Sequence, residues 1–368
     1  MAYLFGLMIS GFLIILILLK KQKQRADYLL AGWMLTMGVH LLLFYMQYSG
    51  SVYKYPHALG LLMPLPVLHG FFLYAYAAEL TGTSLLKSKA AWLSLLPFLV
   101  LVVLAIPFYG LSAAEKTAVF RNHGKGFEWY MLIQLGLIVL SGLTFSIATL
   151  FRIRKHREVL LGYFSDTEKK MLSWLEYLAF GLALIWMLAV FFDDTIVFAG
   201  VVLFVLFIGI FGINQVPVFY ADMPVETTVR RTEIAAGEPE KYARTGLKDE
   251  SAAQWMEKLE VLMRTEKPHT NGELTLNDLA ALLYCHPHQL SQVINSMYGK
   301  TFHHYINSYR IEEFLAMAAQ PENKKYTFMA LAYDCGFNSK TTFNKYFKLH
   351  TGKTPSEYFE EIPAVIKH

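Results

Sequence analysis

Hydrophobic residues dominate the first part of the chain, where long apolar stretches alternate with short polar segments. A helix that crosses a bilayer needs about 20 mainly apolar residues, and seven stretches reach about that length. These are residues 2–20, 28–49, 58–80, 90–110, 128–151, 173–192 and 195–215. The last two are separated only by Asp193 and Asp194, so a re-entrant hairpin is an alternative for this pair. The pattern predicts an all-α fold that begins with a seven-helix transmembrane bundle.

After Tyr220 the apolar stretches end and the pattern becomes that of a soluble protein. We therefore expect a seven-span membrane domain at 1–218, a flexible linker at 219–250 and a soluble domain at 251–368. The linker is expected because its Pro, Thr, Gly, Arg and Glu residues show no helical periodicity. Apolar residues then return at helical spacing, at Trp255, Leu259, Leu262 and Met263. They predict a helix that packs either on the soluble domain or on a second copy of the chain.

Lys and Arg are unequally divided between alternate loops of the membrane domain. Twelve lie in one set of loops: Lys20, Lys21, Lys23, Arg25, Lys87, Lys89, Arg152, Arg154, Lys155, Arg157, Lys169 and Lys170. Four lie in the other set: Lys54, Lys116, Arg121 and Lys125. Cytoplasmic loops carry the excess of positive charge, so the N-terminus is expected outside and the C-terminal domain in the cytoplasm. The predicted location is the cytoplasmic (inner) membrane of a bacterium, as a multi-pass protein.

A few ionisable residues interrupt the apolar stretches, and they are candidates for sensing because a charge inside a bilayer is costly. The candidates are His40, His69 and Glu79. Hydrogen bonds between helices are the alternative explanation for them. Pro64 and Pro66 are expected to kink the third span, because a proline removes a backbone donor and clashes with the preceding turn.

Composition agrees with a membrane protein and gives no indication of an enzyme. Charged residues make up 17% of the chain, against about 25% in soluble proteins. The sequence has no phosphate-binding glycine loop, zinc-protease motif or nucleophile elbow, so no catalytic residue and no cofactor is expected. Cys285, His286 and His288 are metal-ligand types, but no second cluster completes a tetrahedral set. No metal site is therefore predicted.

The C-terminal region contains an internal repeat. The stretch LAALLYCHPHQLSQVINSMYGKTFHHYI aligns with LAYDCGFNSKTTFNKYFKLHTGKTPSEYF after one inserted residue. In this alignment Leu290 pairs with Phe343, and Gly299 pairs with Gly352. Each copy predicts a short helix, a tight turn and a second helix that a glycine ends. A long helix over about 302–319 is expected to lie between the two copies.

One face of each second helix is expected to be buried. It carries Leu290, Val293, Ile294 and Met297 in the first copy and Phe343, Tyr346, Phe347 and His350 in the second. Thr275 and Asp278 are expected to cap the first helix of the first copy. Gly336 is expected to supply the permissive backbone of the second turn. The opposite faces of the second helices are then free to enter a major groove.

This arrangement resembles the DNA-binding domain of the AraC family. The segments that carry the resemblance are LTLNDLA, LSQVINSMYGKTFHHYINSYRI and ALAYDCGFNSKTTFNKYFKLHTGKTPSEYF, within residues 273–360. The resemblance implies two helix-turn-helix units, joined by a long helix, that read successive major grooves of DNA. The first turn departs from the family pattern, because Tyr284 stands where glycine is frequent and His286 where serine usually caps the second helix. Base reading by the first unit is therefore an open question.

The resemblance places the DNA-contacting residues on the exposed faces of the two second helices. Base contacts are implied for His288, Gln289, Ser291, Gln292, Lys340, Thr341, Asn344 and Lys345. Phosphate contacts are implied for Ser339, Lys348 and Lys353. Between Asn338 and Lys353 there are four lysines and no acidic residue, so positive charge is concentrated in the second helix-turn-helix unit.

Together these features predict a membrane-bound, one-component transcription regulator that binds promoter DNA sequence-specifically under the control of its membrane domain. The expected partners are double-stranded promoter DNA and the lipid bilayer. Further partners that fit this function are RNA polymerase, a second copy of the chain in a homodimer, and an unknown small-molecule or membrane-derived stimulus. The alternative function is a transporter or channel-like membrane protein whose helix-turn-helix tail serves regulation or protein interaction only.

Overall fold

The computed structural model describes residues 2–82, 93–167, 172–192, 194–212 and 249–360. Within these ranges the regular elements are helices, and one isolated bridge pairs Phe164 with Thr275. The chain divides into two compact units. The first unit is Met1–Lys155 with Leu172–Val218, and the second is His156–Met171 with Phe219–His368. The second unit therefore includes a segment from the middle of the chain. Apart from residues 249 and 250, the expected linker lies outside the described residues.

The described part of the first unit is helical, and three of its helices are long and apolar enough to cross a membrane. The helices are α1 (Ala2–Leu19), α2 (Arg25–Tyr48), α3 (Leu65–Leu80), α4 (Leu96–Leu104), α5 (Ile106–Tyr109), α6 (Ala113–Arg121), α7 (Glu128–Tyr163), α8 (Ser173–Phe191) and α9 (Asp194–Gly212). Those with sufficient length and hydropathy are α2, α7 and α8, while α1 and α9 contain shorter apolar stretches, at Tyr3–Leu19 and Ile196–Phe211. The structure thus has an all-α fold with three helices of membrane-spanning character, and the seven-span arrangement stays a prediction.

The third apolar stretch is only partly helical, and the kink expected there is wrong. Helix α3 begins at Leu65, with Pro64 as its N-cap and Pro66 in its first turn. A proline is tolerated at that position because the first backbone N–H groups of a helix have no partner within it. The prolines therefore start the helix and do not bend it.

Aromatic and aliphatic side chains form the core of the first unit. Helix α2 packs on α1 and α3, and α9 packs on α1 and α8. Trp33 and Met34 of α2 and Leu178 of α8 are fully buried. At the start of α2, Lys20 forms an ion pair with Asp27 at 2.7 Å, and Asp27 also accepts a hydrogen bond from the Gln24 N–H at 2.8 Å.

The second unit contains two small hydrophobic cores that share one long helix. Its helices are α10 (Asp249–Thr265), α11 (Leu276–Leu282), α12 (Pro287–Tyr298), α13 (Phe302–Ala318), α14 (Phe328–Asp334), α15 (Lys340–Thr351) and α16 (Pro355–Glu360). The first half of α13 contributes Phe302 and Ile306 to one core, and its second half contributes Ile311 and Phe314 to the other. The long helix expected between the two copies is therefore confirmed.

Most of the burial expected in the second unit is found. Helix α10 buries Leu259, Leu262 and Met263 in the first core, so it packs on the first copy of the repeat. Met297 and His350 are exposed, contrary to expectation, because each lies in the last turn of its helix, beyond the core. The other residues of the two stripes are buried: Leu290, Val293, Ile294, Phe343, Tyr346 and Phe347.

The helix ends of the two copies agree with the repeat. Gly299 and Gly352 follow the last residues of α12 and α15, with φ angles of 61° and 78°. These values lie in the left-handed region, which glycine adopts without strain. The alignment of the two copies is therefore confirmed at the point where each second helix stops.

Candidate nucleic-acid interface

The first helix-turn-helix unit consists of α11, a turn and α12. Thr275 caps α11 as expected, since its Oγ1 accepts a hydrogen bond from the Asp278 N–H and the Asp278 carboxylate accepts one from the Thr275 N–H at 2.9 Å. His286 caps α12, because its Nδ1 accepts a hydrogen bond from the His288 N–H at 3.2 Å. The Gln289 side chain accepts a hydrogen bond from the His286 N–H at 3.1 Å. A histidine therefore performs the capping that serine usually performs.

The turn of this unit contains a strained residue. Tyr284 has a φ of 55°, and its counterpart in the second helix-turn-helix unit, Gly336, has a φ of 91°. A left-handed backbone costs an L-residue about 1 kcal/mol or more. The Tyr284 side chain is 94% exposed, so little packing offsets that cost.

We expect Tyr284→Gly to raise the free energy of unfolding of the second unit by roughly 0.5–1 kcal/mol, because the gain from removed strain exceeds the entropic cost of glycine. Hydrogen exchange of the α11 and α12 amides in the full chain measures this change. Tyr326→Gly is the matched control, since Tyr326 is also exposed and has a φ of −95°. Equal weakening of protection in both variants would contradict the strain argument.

The second helix-turn-helix unit consists of α14, a turn and α15. Thr327 caps α14, and Ser339 caps α15 by accepting a hydrogen bond from the Thr342 N–H at 3.1 Å. The Ser339 hydroxyl also donates to the Thr342 Oγ1 at 3.1 Å. Ser339, predicted to bind phosphate, is thus engaged within its own helix.

The predicted base-contacting residues all lie on the second helices of the two units. His288, Gln289, Ser291 and Gln292 lie on α12, and Lys340, Thr341, Asn344 and Lys345 lie on α15. All of them are exposed or partly exposed. The structure therefore brings each set to a solvent-facing helix surface, opposite the buried stripe. Their base-reading role stays a prediction.

Exposed lysines lie on the second helix-turn-helix unit, and one lies beside the first. Lys340, Lys345 and Lys348 are exposed on α15. Burial lowers the pKa of His304, and the charges of Lys345 and Lys300 lower it further, so these two lysines lie near the same imidazole.

Sequence reasoning missed Lys300. It follows Gly299 as Lys353 follows Gly352, so the repeat makes it the counterpart of a predicted phosphate contact. Lys300 Nζ donates to Ser308 Oγ at 3.2 Å. The repeat therefore predicts Lys300 as a further phosphate contact.

A buried arginine lies on α13, the helix between the two helix-turn-helix units. Arg310 of α13 is 1% exposed and makes five hydrogen bonds to neutral oxygens. The acceptors are His269 O (2.8 Å), Asn271 O (2.8 Å), Asn307 Oδ1 (3.2 Å), Ser165 Oγ (3.0 Å) and Ser165 O (3.4 Å). Burial lowers the pKa of Arg310 to about 10, while Asp166 and Glu273 oppose the shift. The guanidinium is therefore charged at neutral pH.

The segment that supplies Ser165 follows α7 and is tightly bound within the second unit. The Ser165 N–H and hydroxyl donate to Leu274 O at 3.2 and 2.6 Å, and Asn307 Nδ2 donates to Ser165 O at 3.2 Å. Asp166 accepts a hydrogen bond from Asn338 Nδ2 at 2.9 Å. Asn338 directly precedes the N-cap of α15, so this segment reaches the start of a predicted DNA-reading helix.

The structure brings two of the three intramembrane candidates together. His40 of α2 and His69 of α3 form a hydrogen bond of 2.8 Å between Nδ1 and Nε2, and their ring planes are nearly parallel, 9° apart, with the ring centroids separated by 5.2 Å. Glu79 lies ten residues after His69 on α3, which corresponds to roughly 15 Å along a helix. The pair thus makes the hydrogen bond between helices that was the alternative to sensing.

Comparison with known proteins gives a match for the C-terminal region. Residues 279–361 match a family described as a helix-turn-helix domain. The chain carries an AraC-type helix-turn-helix domain. An uncharacterized HTH-type transcriptional regulator from Staphylococcus aureus (strain COL) is 28% identical over 100 residues, which cover 27% of this chain and 13% of the relative. No solved structure matches the chain.

The AraC-type domain has supports that lie outside the matched residues. Helix α10 completes its first core, and Ser165 completes the hydrogen bonds of Arg310. Asn307 and Arg310 are polar residues three apart on a helix with a mainly apolar inner face, which is the only indication of this network in the sequence.

Proposed function

We propose that this protein is a membrane-bound, one-component transcription regulator that binds promoter DNA sequence-specifically. One observation carries the proposal: in an AraC-type domain, α12 and α15 each bury one face and present polar residues on the other. On α15, Asn344 has the groups to pair with adenine, and Lys345 can donate to guanine. Lys348, Lys353 and Lys300 then neutralise phosphates, which fixes the position of the domain on DNA.

We further propose that the domain works in the cytoplasm, attached to several membrane spans whose N-terminus lies outside. Three helices of suitable length and hydropathy support this proposal, as does the excess of Lys and Arg in one set of loops. The first unit is then the membrane domain, and a stimulus there controls the DNA-binding domain. RNA polymerase and a second copy of the chain are the proposed protein partners.

The continuity of α7 supports control by the membrane domain. This helix, Glu128–Tyr163, begins in the first unit, and its last eight residues belong to the second. The segment after it binds Arg310 and Asn338 through Ser165 and Asp166. A change in the membrane state that moves α7 would therefore act on the start of α15. A stimulus shifts this equilibrium only by its differential affinity for the two states.

The proposal is tested by the double variant Asn344→Ala, Lys345→Ala. We expect a loss of at least about 30-fold in affinity for promoter DNA, since each of the two base contacts contributes about 1–3 kcal/mol and every 1.4 kcal/mol is about tenfold. The measurement is a genome-wide crosslinking map of the full-length protein in its native membrane, followed by binding assays on the promoters found. Lys324→Ala is the control, because it removes an exposed lysine outside the two DNA-reading helices.

Discrete promoter peaks that disappear in the double variant and persist in Lys324→Ala would support the proposal. Peaks that persist in the double variant would contradict the base-reading roles of Asn344 and Lys345. Enrichment in none of the proteins would favour the transporter or interaction-only alternative, which a flux assay in reconstituted vesicles then tests.

A further inference from the structure

The first unit contains a cavity of about 490 Å³ that the DNA-binding mechanism does not use. Its wall is mostly aromatic and aliphatic, with polar contributions from His40, His69, Gln134 and Tyr130 among others. Among the described residues that line it there is no Asp, Glu, Lys or Arg. Pockets for small organic ligands typically have volumes of about 300–1,000 Å³. The cavity therefore suits a neutral molecule of that size.

The hydrogen bond from Trp33 determines which ring nitrogens of His40 and His69 carry protons. Trp33 Nε1 carries a hydrogen and can only donate, and it lies 3.3 Å from His69 Nδ1. His69 Nδ1 must then hold a lone pair, so His69 is neutral and carries its proton on Nε2. That Nε2 lies 2.8 Å from His40 Nδ1 and donates to it. By the same reasoning His40 is neutral and carries its proton on Nε2.

These two hydrogen bonds leave the Nε2–H group of His40 as a free donor, and His40 lines the cavity. The bond through Nδ1 is the only hydrogen bond of His40 within the described part of the chain. His40 is 9% exposed and His69 4%, and Trp33 is fully buried. The Nε2–H group is thus a donor that has no acceptor within the described part of the chain. The His40 Nε2–H group therefore calls for an acceptor oxygen on whatever occupies the cavity.

Helix α7 contributes two further polar groups. Gln134 Nε2 donates to Met63 O at 2.8 Å, which leaves its Oε1 as an acceptor. The Tyr130 hydroxyl is buried and has no hydrogen-bond partner among the described residues. The two residues are four apart and lie on one face of α7. The Tyr130 hydroxyl and the Gln134 Oε1 can therefore both form hydrogen bonds with a molecule in the cavity.

We propose that this cavity binds a neutral, mainly apolar molecule with a ketone or similar acceptor oxygen, which accepts a hydrogen bond from His40. The inference rests on the proposed function and deepens it, because it assigns the stimulus of the membrane domain a site and a chemical class. An acyl chain of a bilayer lipid also fits an apolar wall, but it offers no acceptor to His40.

Photolabelling of the full-length protein in phosphatidylcholine nanodiscs tests the site. The probe is benzophenone, a neutral aromatic ketone that crosslinks when irradiated, and mass spectrometry locates the labelled peptides. Fluorenone and fluorene, which differ only in the carbonyl, serve as matched competitors. We expect labels on peptides that line the cavity, and fluorenone to compete at about tenfold lower concentration than fluorene.

Two variants test separately the hydrogen bond from His40 and the volume of the cavity. His40→Leu should remove the tenfold preference for fluorenone while fluorene competes as before. Ala189→Trp should occupy part of the cavity and weaken the label, since Ala189 lines it. Labels spread over the apolar helices and insensitive to Ala189→Trp would overturn the proposal. So would equal competition by fluorenone and fluorene in the unmodified protein.

Promoter binding is assayed on the same nanodisc samples. Intact promoter binding with no cavity label would overturn the site and leave the proposed function standing. A cavity label with no promoter binding would support the site and contradict the proposed function.

Discussion

Arg310→Met is expected to lower the free energy of unfolding of the second unit by roughly 3–5 kcal/mol, because buried acceptors that lose their donor retain their desolvation cost. The substitution keeps much of the side-chain volume and removes all five hydrogen bonds of the guanidinium. The oxygens of His269, Asn271 and Ser165 then lose a charged donor. We expect the loss of protection to reach the α13 amides, because α13 belongs to both cores.

Hydrogen exchange of the full chain, followed on α13 and on α2, measures this effect and its extent. Arg264→Met is the matched control, since the Arg264 side chain is 77% exposed and its loss should change stability by less than about 0.5 kcal/mol. A change for Arg310→Met as small as that of the control would mean that the network does not stabilise the second unit. Unchanged protection of α2 would show that the effect is confined to the second unit.

The second large effect is expected for Gly336→Ala, which should lower the free energy of unfolding by about 3 kcal/mol. Gly336 has a φ of 91°, and a Cβ there would lie 2.5 Å from His269 O and 2.7 Å from Thr270 O. Both neighbours are backbone atoms, so the clash is relieved only by moving the segment that also binds Arg310. Strain of this kind adds to the cost of a left-handed alanine.

Gly352→Ala provides the comparison, because Gly352 has a φ of 78° and a Cβ there would meet nothing within 4 Å. We expect a loss of about 1 kcal/mol for that variant, from the backbone conformation alone. Hydrogen exchange of the α14 and α15 amides gives both values. Equal losses in the two variants would rule out the close approach as the cause.

The sequence predicted local features of the AraC-type domain well. The repeat correctly paired Gly299 with Gly352, and the cap at Thr275 and Asp278 is as expected. Such features depend on neighbouring residues, and their patterns are therefore present in a short stretch of sequence. Met297 and His350 were placed in the core by the same periodicity, which does not report where a core ends.

The network around Arg310 could not be predicted in this way. Ser165 and Arg310 are 145 residues apart, and no periodicity relates a polar residue to a partner at that distance. The sequence pattern assigned Ser165 to the membrane half because it lies between two apolar stretches. Only the folded chain shows that it hydrogen-bonds within the second unit.

Apolar length alone was also an incomplete guide to the first unit. The stretch 58–80 is long enough to span a bilayer, but its helix begins at Leu65. The stretch 90–110 includes two short helices, Leu96–Leu104 and Ile106–Tyr109. Prolines at helix starts explain both differences, since each marks a first turn and not an interior position.

Because Ser165 precedes α8 and α9, its position affects both truncation and proteolysis of the chain. A fragment that starts after α9 would contain both helix-turn-helix units and lack Ser165 and Asp166. Arg310 would lose two of its five hydrogen bonds, and Asn338 would lose its bond to Asp166. A protease that cleaved between α9 and α10 would thus leave the C-terminal domain tethered by noncovalent contacts alone, and full release would require that these be broken too.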